Sequence, residues 1–544
     1  LCGPSQMLWL LAQLVEPALQ PGPVRLPSNV PIERAAPATA APAVELSPEL
    51  KDSRLYTPEA LQDQLERCQQ ENPINNNIQN LNNCAAALTA QLVAKGYLNS
   101  RVIVDQLTNP ARLELVEGRL VELRVQSSNA ALARRVKAWL APLQQGPLRV
   151  SLLEENLQKL RQRPDVAAVR GNLGRLGSDP AKAVLNITVE PAAQPIRGEI
   201  SLRNDGNPGT GEARGVLGLS KIGLLQNSDQ LLVFAEINTD RDPEVGYVLG
   251  SISYTANLNN QLSFTSAFGY SRRNLIEIDQ PYHDLSYRQL QGYGQLNWNL
   301  IDGLSSQLYA FAGLSVNRND VFLADKAVPL LVGGNSNGWL RTGFIRAGLG
   351  FNNSGQSLAW GGQLYGLQGI QGFSTPSQQL ALGEVGIRPG EARAIGASLS
   401  GSWLALPQLQ LSIRSAAQWA LNPLSSDMGF SIGSDSGLRG LPGQLVSGDS
   451  GYLGYIEAAY TLWKGGSNRL QLVPFIGAGG VESNRNSINF NDTAGAGGAF
   501  LRWQQGNTWS VELGWVGPFQ TEAQTLWNNW LISDGLYSQI KVRF

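Results

Sequence analysis

The sequence predicts a β-rich membrane protein in which an antiparallel transmembrane β-barrel of about 16 strands follows two small α+β domains. Three observations lead to this prediction. From about residue 196 to residue 544, apolar and small polar side chains alternate with a period of two. Two units of helices and short strands precede this region, between residues 51 and 193. The 544-residue chain is also poor in charge, at 16%, and rich in glycine, with 59 residues.

The alternating region favours a membrane barrel over a soluble sheet. Leu411 and Ile413 are predicted to face lipid, whereas Gln410 and Arg414 are predicted to face the lumen. A soluble sandwich of this length would need more charge on its outer faces. No run of about 18 apolar residues is present, so a transmembrane helix is excluded and only a barrel remains. About 350 residues, at roughly 20 to 22 per strand and connection, correspond to about 16 strands.

Aromatic residues near the ends of the alternating segments are typical of the girdles that flank a membrane barrel. The residues concerned are Trp360, Trp403, Trp419, Tyr460, Trp463 and Trp515. The last strand is amphipathic and ends on Phe544. This final aromatic resembles the C-terminal signal of outer-membrane barrel proteins.

The chain divides into four predicted parts. Residues 1–50 hold a short apolar segment and a Pro/Ala-rich linker, which is expected to be extended and to pack no core. The apolar segment fits either the remnant of a signal peptide or a short amphipathic helix. The first small domain is predicted at 51–126, the second at 127–193 and the barrel at 194–544.

Helical spacing and short apolar runs alternate within the two small domains. Helices are predicted at 58–70, 83–95, 130–140 and 152–161. Strands are predicted at 101–105, 112–116, 118–125, 166–173 and 183–189. Two consecutive units of this kind indicate two separate α+β domains.

Cys68 and Cys84 are 16 residues apart within the first small domain. A disulfide between them is favoured in an oxidising periplasm, and two reduced core cysteines are the alternative. Cys2 would be left over and would leave with any signal segment.

Composition excludes several classes of function. A net charge of −1 argues against nucleic-acid binding through phosphate neutralisation. The single histidine, His283, argues against most zinc sites, and we expect no metal and no cofactor. Serine motifs at 334–338 (GxSxG) and 448–451 (GDSG) have only His283 as an imidazole base, so we expect no enzyme activity.

Several motifs then occur in a specific order along the chain. They are Gly96-Tyr97 and Val116-Glu117-Gly118-Arg119 in the first small domain, Leu152-Leu153-Glu154-Glu155 in the second, Leu202-Arg203-Asn204-Asp205-Gly206 at the barrel start, and Gly437-Leu438-Arg439-Gly440 in a late loop. In this order they resemble the outer-membrane transporters of two-partner secretion (TpsB, type Vb), the relatives of haemolysin activators and of the filamentous haemagglutinin transporter. The resemblance covers about residues 51–544. It implies two POTRA (polypeptide-transport-associated) domains in the periplasm and a barrel in the outer membrane.

The resemblance also implies a role for the internal loop. Gly437, Leu438, Arg439 and Gly440 would form its tip, and Arg439 would pair with a lumen carboxylate. The family usually supplies an aspartate for this on a late strand, where this chain has Gly477. Glu457 and Asp449 are the candidate substitutes, with Glu457 preferred because alternation directs it inward.

The implied function is protein secretion. The POTRA domains would capture an unfolded passenger, which would thread the barrel and fold outside the cell. Its expected partners are the passenger, outer-membrane lipid and the barrel-assembly machinery. The alternatives are an insertase that assembles other barrels, or a passive porin or adhesin; the two N-terminal domains argue against the last.

Overall fold

The computed structural model of the chain describes residues 45–46, 55, 67, 78–107, 112–163, 165–193, 196–225, 229–259, 261–278, 283, 285–485, 488–520 and 526–544. These residues belong to two compact units, which divide between residues 193 and 194. The N-terminal apolar segment, most of the linker and the predicted helix at 58–70, apart from residue 67, lie outside the described residues.

The first unit contains two three-stranded sheets with the same topology. One sheet has the order β1-β3-β2 and the other the order β4-β6-β5. In each, the first strand is parallel to the third and the second is antiparallel to the third. The strands are β1 (Glu45–Leu46), β2 (Arg101–Asp105), β3 (Arg112–Val116), β4 (Arg119–Gln126), β5 (Val166–Leu176) and β6 (Asp179–Pro191). This repeated topology indicates two copies of one structural unit.

Amphipathic helices cover these sheets. Helix α1 (Ile78–Ala94) buries Leu81, Ala85, Leu88 and Leu92 at helical spacing. Helix α2 (Ala130–Leu140) buries Leu132, Val136 and Leu140, and the side chain of Asn129 caps its first turn by accepting from two backbone N–H groups. Helix α3 (Val150–Arg161) buries Leu153 and Leu160. The helices and strands predicted between 83 and 189 are all found, with shifts at their ends.

The boundary between the two small domains differs from the prediction at residue 126. The predicted first domain, 51–126, includes strand β4, which is separated from β3 by only two residues. The structure pairs it instead with β6 in the second sheet, from Arg119 opposite Lys182 to Gln126 opposite Thr188. Local sequence cannot tell whether β4 joins the first or the second sheet, because its pairing partner lies about 60 residues downstream.

Cys84 lies fully buried in α1 and is disulfide-bonded. Cys68, its predicted partner, lies outside the described residues. The pairing of these two cysteines therefore stays a prediction.

The second unit is a closed antiparallel barrel of 16 strands. The strands are β7 (Arg197–Arg203), β8 (Ala213–Ile222), β9 (Gln230–Thr239), β10 (Val245–Asn257), β11 (Leu262–Asn274), β12 (Leu285–Asp302), β13 (Ser306–Leu323), β15 (Trp339–Ser354), β16 (Leu358–Gly369), β17 (Arg393–Leu406), β18 (Leu409–Ala420), β21 (Ser450–Gly465), β22 (Asn468–Arg485), β23 (Ile488–Gln505), β24 (Trp509–Gln520) and β25 (Leu536–Arg543). The two-residue strand β14 (Lys326–Ala327) extends a hairpin on β13, and helix α4 (Pro376–Glu384) lies in the connection between β16 and β17.

The two faces of the barrel follow the predicted alternation. Ile413 is 43% exposed on the outer surface, whereas Gln418, on the other face of the same strand, is buried. All six predicted girdle aromatics are more than 40% exposed. No helix in the described parts of the chain is long and apolar enough to cross a membrane.

The last strand closes the barrel against the first. Residues Gln539 to Arg543 of β25 pair with Glu199 to Arg203 of β7. Beyond this ladder, Phe544 and Gly198 exchange two backbone hydrogen bonds of 2.8 and 3.0 Å. The Phe544 ring lies over Gly198, where a Cβ would be only 2.3 Å from the ring. The C-terminal aromatic thus completes the closure at the end of the barrel that holds both termini and the short turns.

We predict that Ile413→Arg impairs barrel assembly, because a charge on the lipid face costs about 2–4 kcal/mol near the midplane. Gln410→Arg is the matched control, since this side chain is already exposed on the lumen face of the same strand. Heat modifiability on gels measures the folded fraction. Equal behaviour of the two variants would show that the faces are wrongly assigned.

Candidate functional site: an internal loop anchored in the barrel

The connection from β18 to β21, residues 421–449, folds back inside the barrel. It contains a small hairpin of β19 (Phe430–Ile432) and β20 (Val446–Gly448) and two short 3-10 turns. Leu438 and Leu441 are 0% exposed and belong to one apolar cluster with the inward side chains Val473, Phe475 and Ala496 of the wall. An apolar loop tip packed on an apolar patch of the wall explains why the loop stays inside rather than in solvent.

The predicted tip motif adopts a sharp turn at both of its glycines. Gly437 has φ +99° and Gly440 has φ +81°, a region that disfavours residues with a Cβ. A Cβ on Gly440 would lie 2.9 Å from the Cβ of Ala496. The flanking glycines therefore let the backbone approach the wall and direct Leu438 and Arg439 against it.

Arg439 lies between two carboxylates of the barrel wall. Its Nη1 donates to Glu512 Oε2 at 2.7 Å, and its Nε is 3.8 Å from Glu457 Oε2. Arg502 contacts the same two acids, with Nε 2.6 Å from Glu512 Oε1 and Nη2 3.5 Å from Glu457 Oε1. The four side chains form an alternating ring of two positive and two negative charges.

Aromatic side chains complete this charged cluster. The guanidinium carbons of Arg439 and Arg502 lie 5.2 and 5.4 Å from the centroid of the Phe500 ring, within cation–π range. Tyr455 donates its hydroxyl to Glu457 Oε2 at 2.8 Å. The carboxylates of Glu512 and Glu457 thus offset the positive charge of Arg439 inside the lumen.

The structure brings some of the predicted site residues together and separates others. Glu457 is near Arg439, as the sequence suggested, but the shorter contact is made by Glu512, which sequence reasoning missed. Among the described residues, the acids that contact Arg439 are Glu512 and Glu457, whereas the backbone N–H of Asp449 donates to Ser483 and its carbonyl accepts from Gln418. Along β24, Leu513 is exposed on the outer face, so alternation places its neighbour Glu512 on the inner face. The sequence pattern could therefore have predicted a buried acid at this position.

Gly477 lies directly under the loop tip. A Cβ at this position would be 2.8 Å from the Tyr455 ring and 3.0 Å from Leu438 Cδ2. The family's usual aspartate would therefore collide with the loop as it is packed here. The chain places its acids on β21 and β24 instead, on either side of the space that Leu438 fills.

A second anchor holds the loop to another part of the wall. Asp435 Oδ1 lies 2.5 Å from Nη1 of Arg214 on β8, and Nη2 of Arg214 lies 2.7 Å from Glu236 of β9. All three side chains are buried. The backbone of Gly443 also donates to the carbonyl of Gly206 at 2.9 Å. The loop is thus tied to the wall at β8 and β9 as well as at β21 to β24.

In the described part of the chain, the serine motifs do not form a catalytic arrangement. Ser450 lies at the start of β21, where its hydroxyl accepts from the backbone N–H of Ala420. This contact joins two barrel strands. Among the described residues, no group of three or more His, Cys, Asp or Glu side chains is arranged to hold a metal ion.

Strands at the edges of the two small sheets form the other candidate site. In each sheet the second strand pairs on one side only, with the third strand, among the described residues. Strand β5, with 11 residues, is the longer of these two edges, and Asn172 at its centre is exposed. An edge strand presents a row of unpaired N–H and C=O groups that another extended chain can pair with.

Comparison with known proteins gives one consistent result. Residues 182–500, more than half of the chain, match the family model of the haemolysin secretion/activation protein ShlB/FhaC/HecB. The chain is 22% identical over 504 residues to the outer membrane transporter CdiB of Escherichia coli O6:K15:H31 (strain 536 / UPEC), covering 86% of this chain and 77% of that protein.

Solved structures show the same fold. CdiB from Escherichia coli superposes with a TM-score of 0.67 at 18% identity, over 99% of this chain and 97% of that chain. CdiB from Acinetobacter baumannii gives a TM-score of 0.63 at 17% identity, with the same coverage. BamA from Haemophilus ducreyi, lacking POTRA domains 1–3, gives 0.51 at 10% identity, over 86% and 94%.

We predict that Arg439→Ala and Glu512→Gln each destabilise the closed position of the loop, because each leaves a neighbouring charge with only one of its two partners. A double-mutant cycle on the free energy of unfolding in urea should give a coupling of about 0.5–3 kcal/mol. The cycle of Arg439 with Glu457 should give a smaller coupling, since that contact is 3.8 Å long. Additive effects of Arg439→Ala and Glu512→Gln would contradict the ion pair.

We also predict that Gly477→Ala displaces the loop tip, because the new methyl group occupies space held by Leu438 and Tyr455. Ion conductance through the barrel in planar bilayers should rise. Gly454→Ala is the control: it lies on the neighbouring strand β21, where a Cβ meets nothing within 4 Å. Equal conductance of the two variants would show that the loop does not depend on contact at Gly477.

Proposed function

Because this chain belongs to the haemolysin secretion/activation protein family ShlB/FhaC/HecB, and is therefore an outer-membrane transporter of the two-partner secretion type, we propose that its N-terminal domains capture the secreted passenger in unfolded form. The passenger then passes through the barrel and folds outside. The family is one of protein transporters, not of enzymes. The two small domains are proposed to be POTRA domains that lie in the periplasm.

The observation that carries the capture step is the free edge of β5. An unfolded chain that adds as a strand gains main-chain hydrogen bonds without a strict demand on its sequence. The equivalent edge, β2, repeats the same geometry on a shorter strand in the first sheet. Two such edges in series support capture of an extended polypeptide over folded-protein docking.

The internal loop supports a gated pore. With Leu438 and Arg439 packed on the wall, the lumen is occupied, so passage of a chain requires the loop to move. Anchors at Asp435 and Arg439 hold it through ion pairs rather than through covalent links. Charged anchors can form new ion pairs with an incoming polypeptide. A loop held only by apolar contacts could not exchange ion-pair partners in this way. This arrangement supports our proposal that the loop opens when the passenger arrives.

The remaining proposals concern energy and assembly. The sequence contains no P-loop, and we propose that folding of the passenger outside the cell drives its transport. Phe544 is proposed as the signal that the barrel-assembly machinery recognises before the strand closes on β7. Once the barrel has closed, the same residue packs on Gly198.

A photo-crosslinking amino acid at Asn172 tests the capture step. We expect a crosslink to the co-expressed passenger, because Asn172 lies at the exposed centre of the β5 edge. The matched control places the same amino acid at Arg134, an exposed residue of α2. Equal crosslinking at both positions, or none at Asn172, would contradict capture on β5 while leaving the family assignment intact.

A further inference from the structure

Five arginines lie near the same end of neighbouring barrel strands, the end opposite Phe544 and the short turns. They are Arg272 of β11, Arg288 of β12, Arg318 of β13, Arg341 of β15 and Arg393 of β17. We call them the arginine band. Membrane barrels have short periplasmic turns and longer extracellular loops, so this end lies at the outer leaflet of the membrane.

All five side chains belong to the outward face of the barrel. Each is two or four residues from an exposed apolar residue of its own strand, and alternate residues share a face. The exposed neighbours are Tyr270, Leu290, Leu314, Ile345 and Ile395. The band therefore follows directly on the apolar surface that contacts the lipid chains, where headgroups begin.

The register brings these charges together. Arg272 is directly opposite Arg288, and Arg318 is directly opposite Arg341. Like charges at directly opposite positions are destabilising in a sheet unless an anion lies between them. A negatively charged group bound at this surface would therefore stabilise the paired strands.

Carboxylates of the protein pair with only two of the five arginines among the described residues. Asp320 pairs with Arg318 at 3.0 Å, and the largely exposed Asp325 lies 3.4 Å from Arg288. In the described part of the chain, the other three arginines have no carboxylate within ion-pair distance. Arg272 and Arg393 contact neutral amides through Nε, and Arg341 contacts the carbonyl of Phe373, so their terminal nitrogens stay available.

The outward surface of β22 and β23 has a different charge at the same end of the barrel. It carries Glu482, directly opposite Asn491. Aromatic rings support the band itself: the Arg288 guanidinium lies 4.1 Å from the centroid of Phe322, and that of Arg318 lies 5.2 Å from Trp339. The band thus differs from the outward surface of β22, which carries an acid at the same end of the barrel.

We propose that the arginine band binds phosphate groups of anionic lipid headgroups in the outer leaflet. Guanidinium groups match phosphate oxygens with two parallel hydrogen bonds, and their charge is complementary. The outward direction of all five side chains favours a lipid over a polypeptide in the lumen. This proposal rests on the membrane location of the barrel and does not depend on passenger capture.

The test compares binding of diphosphoryl lipid A to the full chain and to the triple variant Arg272→Gln, Arg341→Gln, Arg393→Gln. Native mass spectrometry of the detergent-solubilised protein measures the bound lipid. Each arginine near a lipid surface contributes about 1 kcal/mol, so we expect about a hundredfold weaker binding by the triple variant. The matched control, Lys464→Gln, Arg134→Gln, Arg175→Gln, removes three exposed charges elsewhere and should bind lipid A like the parent chain.

Other arms identify the ligand. Equal lipid A binding by the parent chain and the triple variant, or an equal loss in the control, would overturn the proposal. Inorganic phosphate is tested in the same way. If it binds to the parent chain as strongly as lipid A does, and the triple variant loses both, the band is a site for free phosphate and not for lipid. Loss of passenger secretion with unchanged lipid binding would make the band part of the exit path and would also overturn the proposal.

A second triple variant, Arg272→Lys, Arg341→Lys, Arg393→Lys, covers the case in which the glutamine variant does not fold. It keeps the charge of the surface, and heat modifiability checks its folding. We expect about tenfold weaker lipid A binding, because an ammonium group cannot make the bidentate contact. Unchanged binding by the lysine triple would contradict the guanidinium–phosphate geometry.

Discussion

Closure of the hydrogen-bond ladder between β25 and β7 is the constraint on which the rest of the barrel depends. In a bilayer, every backbone N–H and C=O group must find its partner within the protein. In the backbone ladder, five residue pairs and the Phe544–Gly198 exchange join the last strand to the first, and Glu199 adds ion pairs to Lys541 and Arg543. The closed ring then defines a lumen, and a lumen provides an inner surface on which polar residues can be placed without contacting lipid.

The lumen lets this protein keep charges that a lipid-facing surface would not tolerate. Arg439, Arg502, Glu457 and Glu512 lie in a ring of alternating charge, where each ion has an opposite neighbour to offset its loss of hydration. The loop contributes only one of these four charges. The three on the wall are thus arranged to receive it, and a loop that leaves the wall exchanges protein partners for water or for an incoming chain.

Two different solutions to the problem of sheet edges occur in one polypeptide. The barrel has no free edge, whereas each small sheet keeps outer edges among the described residues, one of them on its second strand. An unpaired edge is a risk in a protein that has no use for it. Its repetition at the same topological position in both domains is consistent with a role in strand addition, and the family assignment supplies the polypeptide that would use it.

The sequence by itself determined the class of fold, the faces of the barrel strands and the loop motif, because each of these depends on residues near one another in the chain. Alternation around Ile413 needs only its own strand, and the turn at Gly437 and Gly440 needs only glycine. Tertiary structure alone decided the pairing of β4 with β6 and the choice of Glu512 over Glu457 as the closer partner of Arg439. The first outcome depends on a strand about 60 residues downstream in the small sheet, and the second depends on how the loop packs inside the closed barrel, which brings residues 73 positions apart within 2.7 Å. Neither has a local signature.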